Sequence, residues 1–403
     1  MPNRPRTVLA PARPAGRTVR LLAAVLLAVA APLVVADPAA AAGCGRAGDP
    51  APATPPWAQT RLAPDAVWPL TRGAGTTVAV IDSGVSATHP ALRGKVLRGH
   101  DLGFAERFGR CDEAGHGTMV AGIIAGRQTE GSTFAGIAPD ALILPVRVLR
   151  TTDRNFDQQL PVRIANAIRW AVDNGAGVIN LSLETVPTSE LAAAVNYAVA
   201  HRVVVVAAAG NQEQGTQRDQ PAFPAGYRPV LAVAGVDQQD KHVDTSISGD
   251  YIDVAAPGLQ IVAPAPGGGF FTEAEGGTSF AAAYVSGVAA LVKSYYPDLP
   301  VQDVVNRIVA TADNPPEGRT QEAGYGVVNP YRAVTAILGG RENVPAGTLP
   351  EPEDTDDSLA GARTAAAIAV VAALVLTALI LMARPILRRG RERGWRAGPA
   401  SRS

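Results

Sequence analysis

Residues 76–85 read TTVAVIDSGV, and this stretch decides the fold. From Thr77 to Ile81 the apolar and β-branched residues run on without the polar alternation of a half-exposed strand. A run of this kind reads as a strand covered on both faces, as in a parallel sheet. It stops at Asp82, Ser83 and Gly84, which are turn formers. Four similar runs follow: Leu142–Val148, Val178–Leu183, Val203–Ala208 and Val230–Val236. Helical patterns lie between them at Gly117–Ala125, Gln159–Asp173 and Ser189–His201, and two more come later, Ser279–Tyr296 and Val301–Thr311. Strand and helix in alternation predict an open, mostly parallel α/β sheet with right-handed crossovers. The compact region runs from about Asp65 to Leu338, long enough for one large core, and contains no internal repeat. In such sheets functional groups gather at the carboxyl ends of strands.

Three segments meet that demand. Asp82 ends the strand VAVI. His116 opens a helix in GHGTMVAGIIAG (115–126), and Ser279 opens another in GGTSFAAAYVSGVAALV (276–292). Singly, each has an ordinary structural explanation: a turn aspartate, a histidine beside a glycine cap, a serine N-cap. Together, in this order and with these neighbours, they resemble subtilisin-like serine proteases, whose chain order is Asp, His, Ser. The stretches that carry the resemblance are VAVIDSGVSATHP, GHGTMVAGIIAG, VINLSL, VVVVAAAGN, YIDVAAPG and GGTSFAAAYVSGVAAL, spread over about residues 65–338. It implies a three-layer α/β fold and a catalytic triad of Asp82, His116 and Ser279.

The residue types suit those roles. A serine hydroxyl is a poor nucleophile at neutral pH and needs a base. His116 would take the Ser279 proton and return it to the leaving amine. Asp82 would hold the imidazole in one tautomer and stabilise the imidazolium. The resemblance further implies that Asn211, after the run ending at Gly210, donates to the oxyanion beside the Ser279 N–H. It implies that Leu181, Ser182 and Leu183, with Ala208, Ala209 and Gly210, flank the first specificity pocket. Three features depart from the family. Where glycine commonly follows the Ser-Leu pair, this chain has Glu184, which could narrow the cleft, favour basic residues in substrates, or point to solvent. Only about twenty residues precede the core after the export signal, too few for a folded prodomain. The loop GRQTEGSTF (126–134) lacks the calcium pattern of secreted subtilisins. We therefore assign no metal and no cofactor.

The chain has 403 residues, and both ends read as membrane-handling segments. Five arginines precede an apolar run from Leu21 to Val35 and the small residues Ala39–Ala42, the layout of a secretory signal peptide over 1–42. Cleavage after Ala36 or after Ala42 both fit. Residues 43–64, rich in Pro, Ala and Gly, read as an extended arm. Residues 339–363 carry Gly, Pro and an acidic cluster and read as a stalk. Thr364–Ala383 contains no charge, and 20 residues at about 1.5 Å each span a bilayer core. Seven arginines fill 384–403, which places that tail in the cytoplasm and the catalytic region outside.

Net charge is zero only because compartments cancel. The ends carry 12 Arg against 2 acidic residues, so 43–383 holds 24 basic and 34 acidic residues, a net −10. An acidic ectodomain gives no electrostatic case for nucleic-acid binding. The two cysteines, Cys44 and Cys111, suggest a disulfide in an exported chain. Such a bond would pin the arm near the mouth of the cleft, since Cys111 lies five residues before His116. The short arm, this cysteine pair, the opening RLAPDAVWPLTRGAGTTVAVIDSGV (61–85) and the stalk with its terminal apolar helix resemble mycosins. Those are membrane-bound subtilisin-like proteases associated with type VII secretion in actinobacteria. The expected partners are protein or peptide substrates and components of that secretion complex. A non-catalytic scaffold for the complex and a free-standing surface protease are the alternatives.

Overall fold

The computed structural model describes residues 44–104, 108–151, 157–212, 220–315, 318–338 and 360–394. Thr77–Asp82 forms β1, and the sheet grows from both of its edges. On one side β1 pairs in parallel with β3 (Leu142–Arg147), Thr77 opposite Leu142 and Asp82 opposite Arg147. The two-residue strand β2 (His100–Asp101) lies beyond β3. On the other side β1 pairs with β4 (Val178–Leu181), followed by β5 (Val204–Ala208), β6 (Leu231–Val236) and β7 (Val254–Pro257). Seven strands thus form one parallel sheet in the order β2-β3-β1-β4-β5-β6-β7. The first crossovers from β1 lead to one side and the next returns past it. The topological switch falls at the carboxyl end of β1, where the crevice of such a sheet opens. Asp82 stands there.

Both faces of the sheet are covered. Val78 and Val80 pack into one core with α2 (His116–Ala125), α5 (Thr278–Tyr295), α6 (Val301–Ala310) and α7 (Pro330–Thr335). Ala79 and Ile81 point the other way, against α3 (Leu160–Asp173) and α4 (Ser189–Ala200). The unbroken apolar run of β1 follows from this two-sided burial. Helix α5 is buried at every residue from Thr278 to Val292, which explains why it is apolar on all sides. Small residues let it approach its neighbours: a Cβ on Gly287 would stand 2.6 Å from that of Ile137. An antiparallel hairpin of β8 (Ile261–Pro264) and β9 (Phe270–Glu273) leads the chain into Gly276 and Ser279.

The five anticipated strands and five helices all form, with ends within two residues of expectation. The arm departs from it. Rather than staying extended, it turns into the helix α1, Trp57–Leu62, because Ala58 and Leu62, one turn apart, bury against the core. Trp57 Nε1 donates to the Leu259 carbonyl at 3.0 Å and anchors the same helix. Cys44 and Cys111 are disulfide-bonded, with Cα atoms 4.7 Å apart. Between bond and helix the arm pairs with the hairpin: Asp49 N–H donates to the Phe270 carbonyl and Phe270 N–H to that of Asp49, each at 2.8 Å.

The signal segment, residues 339–359 of the stalk and residues 395–403 of the tail lie outside the described residues. Helix α8, Ala360–Glu392, belongs to a second unit, Gly339–Ser403, and contains the apolar stretch 364–383. Among the described residues no helix is long and apolar enough to cross a membrane.

Candidate active site

The carboxyl end of β1 and the first turns of α2 and α5 converge on one cleft. Asp82 is fully buried. His116, the first residue of α2, places Nδ1 2.8 and 2.9 Å from the two Asp82 carboxylate oxygens. A carboxylate only accepts, so Nδ1 carries the proton and Nε2 of the neutral ring is the free base. The His116 side chain keeps 17% of its surface exposed, enough to meet a substrate. The close approach depends on Gly117, where a Cβ would fall 2.1 Å from the Gly84 carbonyl oxygen. Burial pushes the His116 pKa down, but the charge and hydrogen bond of Asp82, with Asp112 and Glu273, outweigh it and raise the pKa overall.

Ser279 is the second residue of α5, at the positive end of that helix. Its Oγ donates to the Ser182 carbonyl at 3.2 Å, while Ser182 Oγ donates to the Ser279 carbonyl at 2.7 Å. The serine is thereby tied to the end of β4. Catalytic hydrogen bonds in substrate-free enzymes are often loose and tighten in the complex. The His116 ring lies 5.6 Å from that of Phe280, the residue after Ser279.

Asn211 follows β5 and Gly210, whose φ of 101° suits glycine. Its side-chain oxygen accepts from Thr278 N–H at 3.0 Å and from Thr278 Oγ at 3.1 Å. The backbone N–H can only donate, which fixes the amide orientation and turns its nitrogen away from Thr278. His116, Asn211 and Ser279 all line a cleft of about 510 Å³.

Of the residues expected around the first pocket, Ser182, Leu183, Ala208 and Gly210 line this cleft. Leu181 and Ala209 do not; both are fully buried in the cores beneath it. Glu184 lines the cleft, and its Oε2 would stand 3.1 Å from a Cβ on Gly210. Glu273 and Asp157 also lie on its wall, and no lysine or arginine is among its described lining residues.

Three contributors escaped the sequence reading. Asp112 and Ser83 form a buried network under the His116–Asp82 pair, and Thr278 orients Asn211. Only Asp112 carried a signal: an aspartate three residues before the glycine cap of α2 has the spacing of a side-chain to backbone turn. Its carboxylate accepts from Gly115 N–H at 2.8 Å.

Residues 73–326 match the family model of the Subtilase family. The chain belongs to that family. Subtilases are serine-type endopeptidases, and this one resembles several characterised members. It is 42% identical over 274 residues to the thermophilic serine proteinase of Bacillus sp. (strain AK1), covering 67% of this chain and 65% of the relative. It is 33% identical over 385 residues to Mycosin-1 of Mycolicibacterium smegmatis, covering 83% of this chain and 85% of the relative. The crystal structure of MycP1 from Mycobacterium smegmatis superposes with a TM-score of 0.66 at 32% identity, over 77% of this subtilase and 92% of that chain. A chain of an intact ESX-5 inner membrane complex does so with a TM-score of 0.64 at 30% identity, over 82% and 90%.

Proposed function

We propose that this subtilase is a membrane-anchored, mycosin-like endopeptidase that cuts peptide bonds with Ser279, His116 and Asp82 and works beside a type VII secretion complex. The observation that carries the catalytic reading is the double contact of His116 Nδ1 with Asp82, on the same cleft as Ser279. Ser279 Oγ attacks the scissile carbonyl carbon as His116 Nε2 takes its proton. The carbonyl oxygen becomes an oxyanion and accepts from the Asn211 amide and the Ser279 N–H; one such donor is worth about 2.7–4 kcal/mol. His116 then passes its proton to the leaving amine. Water repeats the sequence on the acyl-enzyme and restores the serine.

The anchor rests on residues 364–383, a charge-free stretch followed by seven arginines. The secretion role rests on likeness to mycosins over most of the chain and to a chain of the ESX-5 membrane complex. That likeness also favours a second reading, in which the ectodomain braces the complex independently of cleavage. Deleting the gene and substituting Ser279→Ala separate the two. We expect deletion to stop secretion and Ser279→Ala to spare much of it, with secreted substrates measured in both strains. Equal defects would assign the whole secretion role to cleavage.

A further inference from the structure

Beneath the His116–Asp82 pair lies a second carboxylate that the peptide-cleavage steps do not use. Asp112 is completely buried, as are Ser83 and Thr118 beside it. One Asp112 oxygen, Oδ1, accepts from Gly115 N–H at 2.8 Å and from Ser83 Oγ at 2.8 Å. The other, Oδ2, accepts from Thr118 N–H at 2.7 Å and Thr118 Oγ at 2.6 Å.

The hydrogen positions follow from donors that cannot accept. Ser83 Oγ receives Gly117 N–H at 3.0 Å, so its own proton is free to go to a carboxylate. Asp112 at 2.8 Å is a closer acceptor than Asp82 at 3.1 Å. Thr118 Oγ receives Ser86 N–H at 3.0 Å, so its proton goes to Asp112. Both Asp112 oxygens are thus filled by two donors each, and a proton on either would face an N–H or O–H. Burial raises the Asp112 pKa overall, and the neighbouring Asp82 charge adds to this, while the hydrogen bonds from Thr118 and Ser83 pull against it. The donor count favours the ionised form.

The network also satisfies the start of α2. The glycine at its cap has no side chain, and the first N–H groups of a helix lack partners within it. Asp112 takes Thr118 N–H directly and Gly117 N–H through Ser83, placing a negative charge at the positive end of the helix. Ser83 also binds Asp82 through its own N–H at 2.7 Å. Ser83 therefore links three groups: its N–H holds the carboxylate that orients His116, and its hydroxyl joins the backbone just after His116 to Asp112.

We propose that Asp112 is a positioning residue for catalysis, holding the His116 turn against Asp82 through Ser83. The inference rests on the reading of Asp82, His116 and Ser279 as the triad. The charged groups that act on the His116 ring are Asp82 from β1, which it contacts, and, at longer range, Asp112 from the loop before α2 and Glu273 from the end of β9. Removing the Asp112 charge should lower the His116 pKa.

The test is steady-state peptide hydrolysis against pH by the full chain in detergent, normalised to folded enzyme, for Asp112→Asn and Ser83→Ala. Asp112→Asn puts an amide where two donors point. It should lower kcat about tenfold or more, leave KM within about twofold, and move the acid limb of kcat/KM to lower pH. Ser83→Ala keeps both carboxylates and the N–H bond to Asp82, and cuts the hydroxyl bridge from Asp112 to the Gly117 N–H. It should lower kcat without moving the limb. If Asp112→Asn does not fold, Ser83→Ala decides alone: parental kcat per folded molecule overturns the proposal. So does an Asp112→Asn enzyme whose activity falls only with its folded fraction and whose acid limb stays in place. A Ser279→Ala control that still turns over substrate would instead reject the triad reading beneath it.

Discussion

At the scale of single residues the site is a matter of which donor can only donate. Asp82 fixes the tautomer of His116, and Thr278 fixes the face of Asn211. His116 acts as a base only when neutral, and its surrounding carboxylates raise its pKa above the ordinary 6.5 despite burial. Activity should therefore fall as pH drops, with a kcat/KM midpoint above that value in the free enzyme. A pH–rate profile checks it, and a midpoint well below 6.5 would contradict the assignment of carboxylates around the ring. Glu184 stood open between cleft and solvent on sequence alone, because a single charged residue has no periodicity to betray its direction. The structure turns it into the cleft beside Gly210. With Asp157 and Glu273 it makes the wall acidic, which suits a lysine or arginine before the scissile bond. Glu184→Gln should lower kcat/KM for such substrates roughly tenfold and leave those with small apolar residues little changed. A peptide library reads the ratio; an unchanged ratio would leave Glu184 only a steric role.

At the scale of elements, long buried runs were legible and short ones were not. Thr77–Ile81 and its four counterparts are continuous because both faces of the sheet are covered, and a run of that length leaves little ambiguity. Strands β2, β7, β8 and β9 span only two to four residues each, too few to establish a period. Helix α1 escaped for another reason: its first residue follows Pro55 and Pro56, and prolines dominate the composition around it. Tertiary burial of Ala58 and Leu62 overrides that local signal. The arm is bound at several points, to Cys111, to the hairpin and through Trp57. It therefore reads as part of the folded domain and not as an inhibitor awaiting removal. The Cys44–Cys111 bond closes a separation of 67 residues. In the chain-entropy model, its loss through the double substitution Cys44→Ser/Cys111→Ser should cost roughly 4 kcal/mol of stability. Denaturant unfolding measures this, and an unchanged midpoint would show that the arm braces nothing. Full activity with the arm still attached is the matching kinetic expectation.

At the scale of the whole molecule, a parallel sheet brings residues 197 positions apart to one crevice, from Asp82 to Ser279. The order in which the strands are laid down puts the switch point at Asp82, and the helices that follow aim His116 and Ser279 at it. The proposed triad was legible as a candidate because each member sits at a strand end or helix start within its own motif. The supporting network was not, because Asp112, Ser83 and Thr278 act through contacts that only the fold creates. The net charge of −10 over residues 43–383 would favour the approach of basic polypeptide segments. On the proposed reading, all these parts serve one activated serine. The most direct test is to treat the full-length protein with a fluorophosphonate serine reagent and locate the adduct by peptide mass spectrometry. We expect a single adduct on Ser279, abolished by Ser279→Ala and strongly slowed by His116→Ala. A folded protein that takes no label, or takes it on another serine, would contradict it.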